Sequence, residues 1–333
     1  MDVSVVIINY HSAQLAIESI DSIKKYTKEI DFEVILVDND SKDDGESLLK
    51  KAHPDIIFIQ TGYNAGFARA NNAGFKIANG KYILLLNADT LFFDNVLKKC
   101  FQKMENDSSV ASIGGLQLNS DKSPMHYYRN SAIFRRTFYI FPQIGFFNDL
   151  IHKLIPEPTY ENPNQTDMLV GAFMFVRKEI IEKVGGLDEN FFMYGEDNEW
   201  SGRLRKAGKL CYFDDIQFIH LENMTDYRRT KISWINRFGT QMLVSNFLWI
   251  RKEKGLLAYL ILIFHYLSLS ISFFLWKITV NVINFRNPFF QLDSQKIFAL
   301  KTKVLLKFFL KTVFNQKGFY KISPDDNIDK KYQ

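Results

Sequence analysis

Lys81-Tyr82-Ile83-Leu84-Leu85-Leu86-Asn87-Ala88-Asp89-Thr90 decides how this chain is read. Tyr82 to Leu86 carries no charge, glycine or proline, which predicts a strand buried on both faces, as in parallel sheets. Polar groups appear abruptly at Asn87-Ala88-Asp89. In open α/β sheets, ligands occupy the crevice beyond the carboxyl ends of the strands. A carboxylate there can hold a hard divalent cation, which in turn holds phosphate. The alternative is that Asp89 only caps a helix or turns the chain.

The preceding residues supply the same pattern three more times. Val3 to Ile8 predicts a first strand ending at Asn9-Tyr10-His11-Ser12, followed by a helix through Ile17, Ile20 and Ile23. Phe32 to Val37 predicts a second strand, ending in Asp38-Asn39-Asp40-Ser41, with a helix over Asp44 to Ala52 after it. Ile56 to Gln60 predicts a third strand, and Gly62 to Gly74 opens a third helix. Alternation of this kind implies parallel strands with right-handed crossovers. Asn9-Tyr10, Asp38-Asn39 and Asn87-Ala88-Asp89 would then open at one edge of the sheet and form a pocket. Gly62-Tyr63-Asn64-Ala65-Gly66-Phe67-Ala68-Arg69 adds a helix start that favours anions. It is neither the dinucleotide fingerprint nor a P-loop, which counts against an oxidoreductase and a nucleoside triphosphatase.

A helix over Asp94 to Asn106 and a strand over Val110 to Leu116 are expected next. From Asn119 to Gln165 the regular pattern fails, and such stretches are usually functional or mobile. Within it, Ile140 to Ile155 is apolar enough for a lid or a membrane contact, or for a helix packed on the domain. Asp167 to Val176 predicts a strand containing Gly171-Ala172, where small residues admit a close sugar. Glu179 to Val184 predicts a helix capped by Gly185-Gly186. Then Phe191-Phe192-Met193-Tyr194-Gly195-Glu196-Asp197 sets acids beside aromatics at a helix start, with Trp200, Leu204 and Ala207 inward. An N-cap is the bland account of Asp197, but capping does not need two successive acids. Short strands are expected over Cys211 to Phe213 and Ile216 to Ile219. His220 follows the second, as Asp89 follows its own strand, so the two are candidates for a shared metal.

These motifs, in this order, resemble the inverting family 2 glycosyltransferases of the GT-A fold, in particular their rhamnosyltransferase-like branch. The resemblance covers about two-thirds of the chain. It implies an α/β fold: a Rossmann-like, nucleotide-sugar-binding mixed sheet flanked by helices, over residues 1–230. By this resemblance Asp38 reads the nucleotide base, with Asn9, Tyr10 and Asn39 near the nucleoside, and Asn64, Phe67 and Arg69 line the diphosphate. Asp89 matches the last acid of the family's Asp-x-Asp motif and would bind Mg2+ or Mn2+, with His220 completing the site. Asn87 stands where the family usually has its first Asp. Asp197 matches the catalytic base and Glu196 its acceptor-side neighbour. The donor would be dTDP-L-rhamnose or a UDP-hexose, and the acceptor a glycan, lipid-linked in many bacterial relatives. A nucleotide-sugar-binding scaffold without catalysis is the alternative; Asn87 favours it and Glu196-Asp197 oppose it. A sugar-nucleotide pyrophosphorylase would need a Gly-rich, basic loop after the first strand, which is missing.

Residues 231–333 form the expected second region, helical and membrane-associated. Residues 231–254 predict an amphipathic helix bearing Trp234, Phe238, Met242 and Phe247. Leu256 to Trp276 contains no Lys, Arg, Asp or Glu and is long enough to span a bilayer. Spanning, a peripheral interface and a soluble core are all open for it. Gln295 to Phe314 places Lys296, Lys303, Lys307 and Lys311 on one side of a helix and Ile297, Leu300, Val304, Leu305, Phe308 and Phe309 on the other, the pattern of a helix lying on an anionic membrane surface. Nucleic acid is not the expected partner, because the aromatics lie on the apolar side rather than interleaved with the lysines. Two cysteines, Cys100 and Cys211, do not make a disulfide framework, which suits a reducing compartment. Met1-Asp2 runs directly into the first strand, so no secretory leader is expected. Together these features predict action at the cytoplasmic face of the cell membrane.

Overall fold

The structure is a computed structural model that describes residues 1–125, 129–142, 144–221 and 237–322. The chain divides into two compact units. The first comprises Met1–Thr137, Pro142–Glu189 and the chain from Glu196 through the last strand. It begins with β1 (Val3–Asn9), α1 (Ala13–Tyr26), β2 (Phe32–Asp38), α2 (Gly45–Ala52), β3 (Ile57–Gln60), α3 (Gly66–Phe75) and β4 (Tyr82–Asn87). It continues with β5 (Thr90–Leu91), α4 (Val96–Asn106), β6 (Val110–Leu118), α5 (Ser131–Arg136), α6 (Gly145–Leu154) and β7 (Gln165–Thr166). β8 (Phe173–Arg177), α7 (Lys178–Val184), α8 (Glu196–Leu204) and β9 (Lys209–His220) complete it.

The nine strands form one mixed sheet in the order β3-β2-β1-β4-β8-β6-β9-β5, with β7 on β9. β1, β2, β3 and β4 are parallel, as their alternation with helices requires, while β8 runs antiparallel to both β4 and β6. β4 shows why the apolar run is a strand. Tyr82, Leu84 and Leu86 feed a core on one face and Ile83 and Leu85 a separate core on the other. That is the period of two expected for a central strand. Helix faces close the layers: Ala16, Ile20 and Ile23 of α1 recur at helical spacing and are fully buried.

Three expectations change. Residues 167–172 are not strand, because Leu169 N–H donates to Ser201 Oγ and Gly171 N–H to Asp197 Oδ2 instead of to a ladder. The two short strands expected around 211–219 are one strand, β9, which takes up Asp214 and Asp215 in an irregularity where its register against β6 shifts at Gly115/Leu116. Among its described residues the stretch from Asn119 to Gln165 holds two helices, and α6 has no fully buried residue: Phe146 is 68% and Leu154 67% exposed, with Phe147 and Ile151 half-buried.

The second unit contains Phe138–Phe141, Asn190–Gly195 and the C-terminal helices. These are α9 (Arg237–Ile283), α10 (Asp293–Lys307) and α11 (Phe309–Val313). Gly255, at φ 88° and ψ −179°, breaks α9 into two helical stretches. Trp234 and the boundary near residue 230 lie outside the described residues. In the first stretch Gln241 Nε2 donates to Tyr320 O (2.8 Å) and Ser245 Oγ to Met193 O (2.8 Å). The second stretch packs antiparallel to α10 and α11: Tyr266 stacks with Phe298 of α10 and Tyr259 with Phe309 of α11, and Asn281 Nδ2 bonds the carbonyls of Pro288 and Phe290 at the turn. The helix expected over Gln295 to Phe314 is interrupted at Phe308, which ends α10 and caps α11. Lys311 also leaves its expected stripe; its ammonium donates to Phe319 O and lies over the Tyr320 ring. Among the described residues, α9 alone is long and apolar enough to cross a membrane.

Candidate active site

The parallel register sets the first half of the site. Asn9 pairs with Asp38, and Ile8 with Asn87, so β1, β2 and β4 end at one level. Asp38 is 2% exposed, yet its carboxylate is well supplied with donors. Asn9 Nδ2 donates to Oδ2 at 2.5 Å, Ser41 Oγ to Oδ2 at 2.8 Å and Ser41 N–H to Oδ1 at 3.0 Å. Buried charge is tolerated only when bonded in this way. Asn39 extends the cluster: its Oδ1 accepts from Ala65 N–H (2.8 Å), and its Nδ2 donates to Asn64 Oδ1 (3.2 Å). Asn64 Oδ1 also accepts from Gly66 N–H, fixing the entry to α3. Tyr10 lies beside the His11 ring, part-exposed. Arg69 Nε donates to Glu189 O, tying α3 to the 187–189 loop.

The second cluster lies where β4 ends and β9 ends. Thr90 pairs with His220 across β5 and β9, and Leu221 N–H donates to Asp89 O. Asp89 and His220 are 8% and 7% exposed. His220 Nδ1 lies 2.9 Å from Gln117 Oε1, which holds the ring in place from its far side. Its Nε2 faces Asn87 Nδ2 at 3.3 Å and Asp89 Oδ1 at 3.1 Å. An imidazole nitrogen beside a carboxylate oxygen suits Mn2+ or a similar ion, with the far ring nitrogen held by an outer partner. Among the described residues no group of three or more His, Cys, Asp or Glu gathers as a metal centre. Such an ion would therefore need further oxygens from phosphate and water, which is usual for ions that bind substrate phosphates.

The third cluster surrounds the start of α8. Tyr194 (φ 68°) and Gly195 (φ 79°) turn the chain through left-handed conformations, and α8 begins at Glu196. Glu196, Asp197 and Glu199 occupy the first turn, where the helix dipole favours negative charge. Trp200 and Leu204 are fully buried and anchor the helix, as expected, whereas Ala207 lies beyond its end. Asp197 Oδ2 accepts from Gly171 N–H (3.0 Å) and Oδ1 from Asn198 N–H (2.8 Å). Glu196 is 4% exposed.

Gly171-Ala172 joins the three clusters. Gly171 N–H holds Asp197, while Ala172 O accepts from Asn87 N–H at 3.0 Å. A Cβ at position 171 would lie 3.4 Å from Phe67 Cε1 and 3.3 Å from Asp197 Cβ, so α3 reaches the same point. The expected residues Asn9, Asp38, Asn39, Asn64, Phe67, Asn87, Asp89, Asp197 and His220 thus form one connected rim. Tyr10 and Arg69 flank it, and Glu196 lies buried beside Asp197. Three contributors were not singled out from the sequence. Ser41 closes on Asp38, and Asn72 clasps Leu187 through both of its amide atoms. Gln117 orients His220, and its signal was a lone polar residue inside an apolar strand.

Known proteins resemble this chain in sequence and in fold. The family described as Glycosyl transferase family 2 matches residues 4–185, more than half of the chain. The chain is 26% identical over 211 residues to the low-salt glycan biosynthesis hexosyltransferase Agl10 of Haloferax volcanii, covering 62% of each. It is 26% identical over 200 residues to the dTDP-rhamnosyl transferase RfbF of Shigella flexneri, covering 58% of this chain and 61% of that one. It spans less than two thirds of these relatives, and only 20% of another curated relative. The mannosyltransferase PcManGT of Pyrobaculum calidifontis, solved with GDP-Man and Mn2+, has a TM-score of 0.53 at 15% identity, over 95% of this chain and 88% of that one. That likeness is one of fold, and the fold is GT-A.

Proposed function

Since the chain belongs to glycosyl transferase family 2, we propose that it transfers a sugar from a nucleoside-diphosphate donor to a hydroxyl of a glycan acceptor, with inversion. The carrying observation is the Gly171-Ala172 bridge, which puts Asp197 one residue away from the backbone that holds Asn87. Asp197 is the base: a carboxylate oriented by two amides takes the proton of the attacking hydroxyl as the bond to the anomeric carbon forms. The nucleoside diphosphate leaves from the opposite face in a single displacement, so no enzyme nucleophile is needed. Glu196 shapes the acceptor side. Asn9, Tyr10, Asp38 and Asn39 bind the nucleoside, and Asn64, Phe67 and Arg69 line the diphosphate.

Asp89 and His220 would hold a divalent cation, whose contribution when bound is to neutralise charge on the leaving diphosphate. The Mn2+ of the Pyrobaculum protein supports this reading. The Shigella and Haloferax names support dTDP-L-rhamnose or a hexose nucleotide as donor and a role in glycan synthesis; a lipid-linked cell-surface glycan is the acceptor of this proposal. The long apolar helix supports membrane association, and the cytoplasmic face is where this proposal places the transfer. Calorimetry of detergent-purified protein with dTDP-rhamnose, UDP-glucose, UDP-galactose, UDP-N-acetylglucosamine and GDP-mannose, each with Mn2+ and with chelator, tests the donor site. Metal-dependent binding of one donor, followed by a product of inverted anomeric configuration, is expected. Binding unaffected by chelator would remove the cation, and a retained configuration would remove the single displacement.

A further inference from the structure

The second stretch of α9 and its partner α10 form an antiparallel hairpin with two unlike outer faces. On α9, Tyr259, Leu262, Ile263 and Tyr266 are buried. The opposite stripe is apolar and open: Leu257, Phe264, Ile271 and Leu275 are 72%, 70%, 64% and 60% exposed. On α10, Thr302 and Leu305 are buried, and Phe298 packs on Tyr266 and Phe273. Lys296, Lys303 and Lys307 are exposed and lie on the side of α10 turned away from α9, by their spacing from Phe298, Thr302 and Leu305. Phe298 stands opposite Tyr266 and Phe273, so Lys296 and Lys303 flank the middle of the hairpin's length.

This register bears on how the hairpin meets a bilayer. If α9 crossed the membrane, α10 would cross beside it, and its outward lysines would point into acyl chains near the midplane, where such charges are strongly disfavoured. If the hairpin lies along the surface, the apolar stripe enters the acyl layer and the lysines stay among headgroups and water. An apolar groove of about 600 Å³ opens on the hairpin, lined by Leu260, Ile261, Phe264, Leu267, Leu306 and Phe309. Charge names the lipid: residues 256–322 carry nine Lys or Arg and a single acid, Asp293. A leaflet of anionic headgroups complements that balance.

We propose that residues 256–314 form an in-plane hairpin that embeds in one leaflet of an anionic membrane, with an acyl chain seated in the groove, and that does not span the bilayer. This rests on the membrane reading above and specifies its geometry. The test uses the full chain in membranes of expressing cells, prepared as sealed inverted and right-side-out vesicles. Single Lys303→Cys, Ile271→Cys, Phe285→Cys and Lys51→Cys variants are treated with an impermeant maleimide. The native Cys100 and Cys211 are buried and give a low background. Lys51, exposed on α2, reports the side of the first unit. The expected result is labelling of Lys303→Cys only in the vesicles that label Lys51→Cys, at least tenfold faster than Ile271→Cys. Labelling of Phe285→Cys from the opposite side, or protection of Lys303→Cys in both preparations, would overturn the in-plane hairpin while leaving membrane association intact. Recovery of the chain outside the membrane fraction would overturn both. As a second measurement, the Lys296→Gln, Lys303→Gln, Lys307→Gln triple variant should bind phosphatidylglycerol vesicles roughly tenfold or more weakly, with little change on phosphatidylcholine. Equal loss on both lipids would remove the anionic preference.

Discussion

Asp38 and Asp197 anchor two regions of one rim and are held by different means. Asp38, almost wholly buried, is gripped by the side chains of Asn9 and Ser41 and by the Ser41 amide, from two strand ends. Asp197, part-exposed at a helix start, is gripped by the amides of Gly171 and Asn198. A carboxylate bonded to buried side chains ties loops together, and its loss leaves those donors unpaired. A carboxylate bonded to backbone amides has its direction fixed by the fold, so its charge can be removed with little rearrangement. The first region should therefore report mutations as stability, the second as rate.

The sharpest break of that contrast is Asp197→Asn. Transfer should fall by about 10²–10⁴-fold in kcat, the usual worth of a general base. Donor affinity should stay within about twofold and melting temperature nearly unchanged, because the amide oxygen still accepts from one backbone N–H. Normal turnover would remove Asp197 from the base role.

Asp38→Ala should do the reverse. Asn9 and Ser41 would be left with buried, unpaired donors, and unfolding free energy should drop by about 3 kcal/mol, with Ser41→Ala costing about 1 kcal/mol. Urea titration measures both. If Asp38→Ala melts like the parent but binds donor a hundredfold more weakly, the cluster serves the ligand and not the loops.

How much of this was legible depended on whether a residue announces itself by its place in a run. Asn9, Asp38, Asn87 and Asp89 each end an apolar strand, and periodicity finds strand ends. The parallel half followed for the same reason. The antiparallel insertion of β8 between β4 and β6 did not, since local pattern carries no information on which strands pair over long separations. Residues 167–172 looked like strand because they are apolar. Their amides instead serve Ser201 and Asp197, partners about thirty positions away. Lys311 fitted the lysine stripe by spacing, but the break at Phe308 turned it inward to Phe319 and Tyr320. Gln117 was the subtle case, meaningful only once β6 and β9 were known to be neighbours.

Gln117 gives a smaller effect that sharpens the contrast from the metal side. Gln117→Leu keeps the strand but removes the amide that holds His220 through Nδ1. If Asp89 and His220 share an ion, Mn2+ affinity in the presence of donor should fall about tenfold, as for other outer-partner losses. Affinity for the nucleotide in chelator should be unchanged. Equal weakening under both conditions would show that Gln117 supports the strand and not the ion.

Gly171→Ala should have the smallest effect and is the most local probe of the rim. The new methyl would meet Asp197 Cβ at 3.3 Å and Phe67 Cε1 at 3.4 Å, close enough that one neighbour must yield by a few tenths of an ångström. Overpacking of this size costs about 1 kcal/mol, and the backbone here needs no glycine-only conformation. If Asp197 yields, the base moves from its line to the acceptor and kcat falls roughly three- to tenfold, because rate is sensitive to such displacements. If Phe67 yields, donor affinity weakens and kcat holds. Gly145→Ala is the control, with nothing within 4 Å of the added carbon, and should alter neither parameter. A change confined to KM would place the tolerance of the site on the α3 side, and a change confined to kcat would place it on α8, which carries the proposed base.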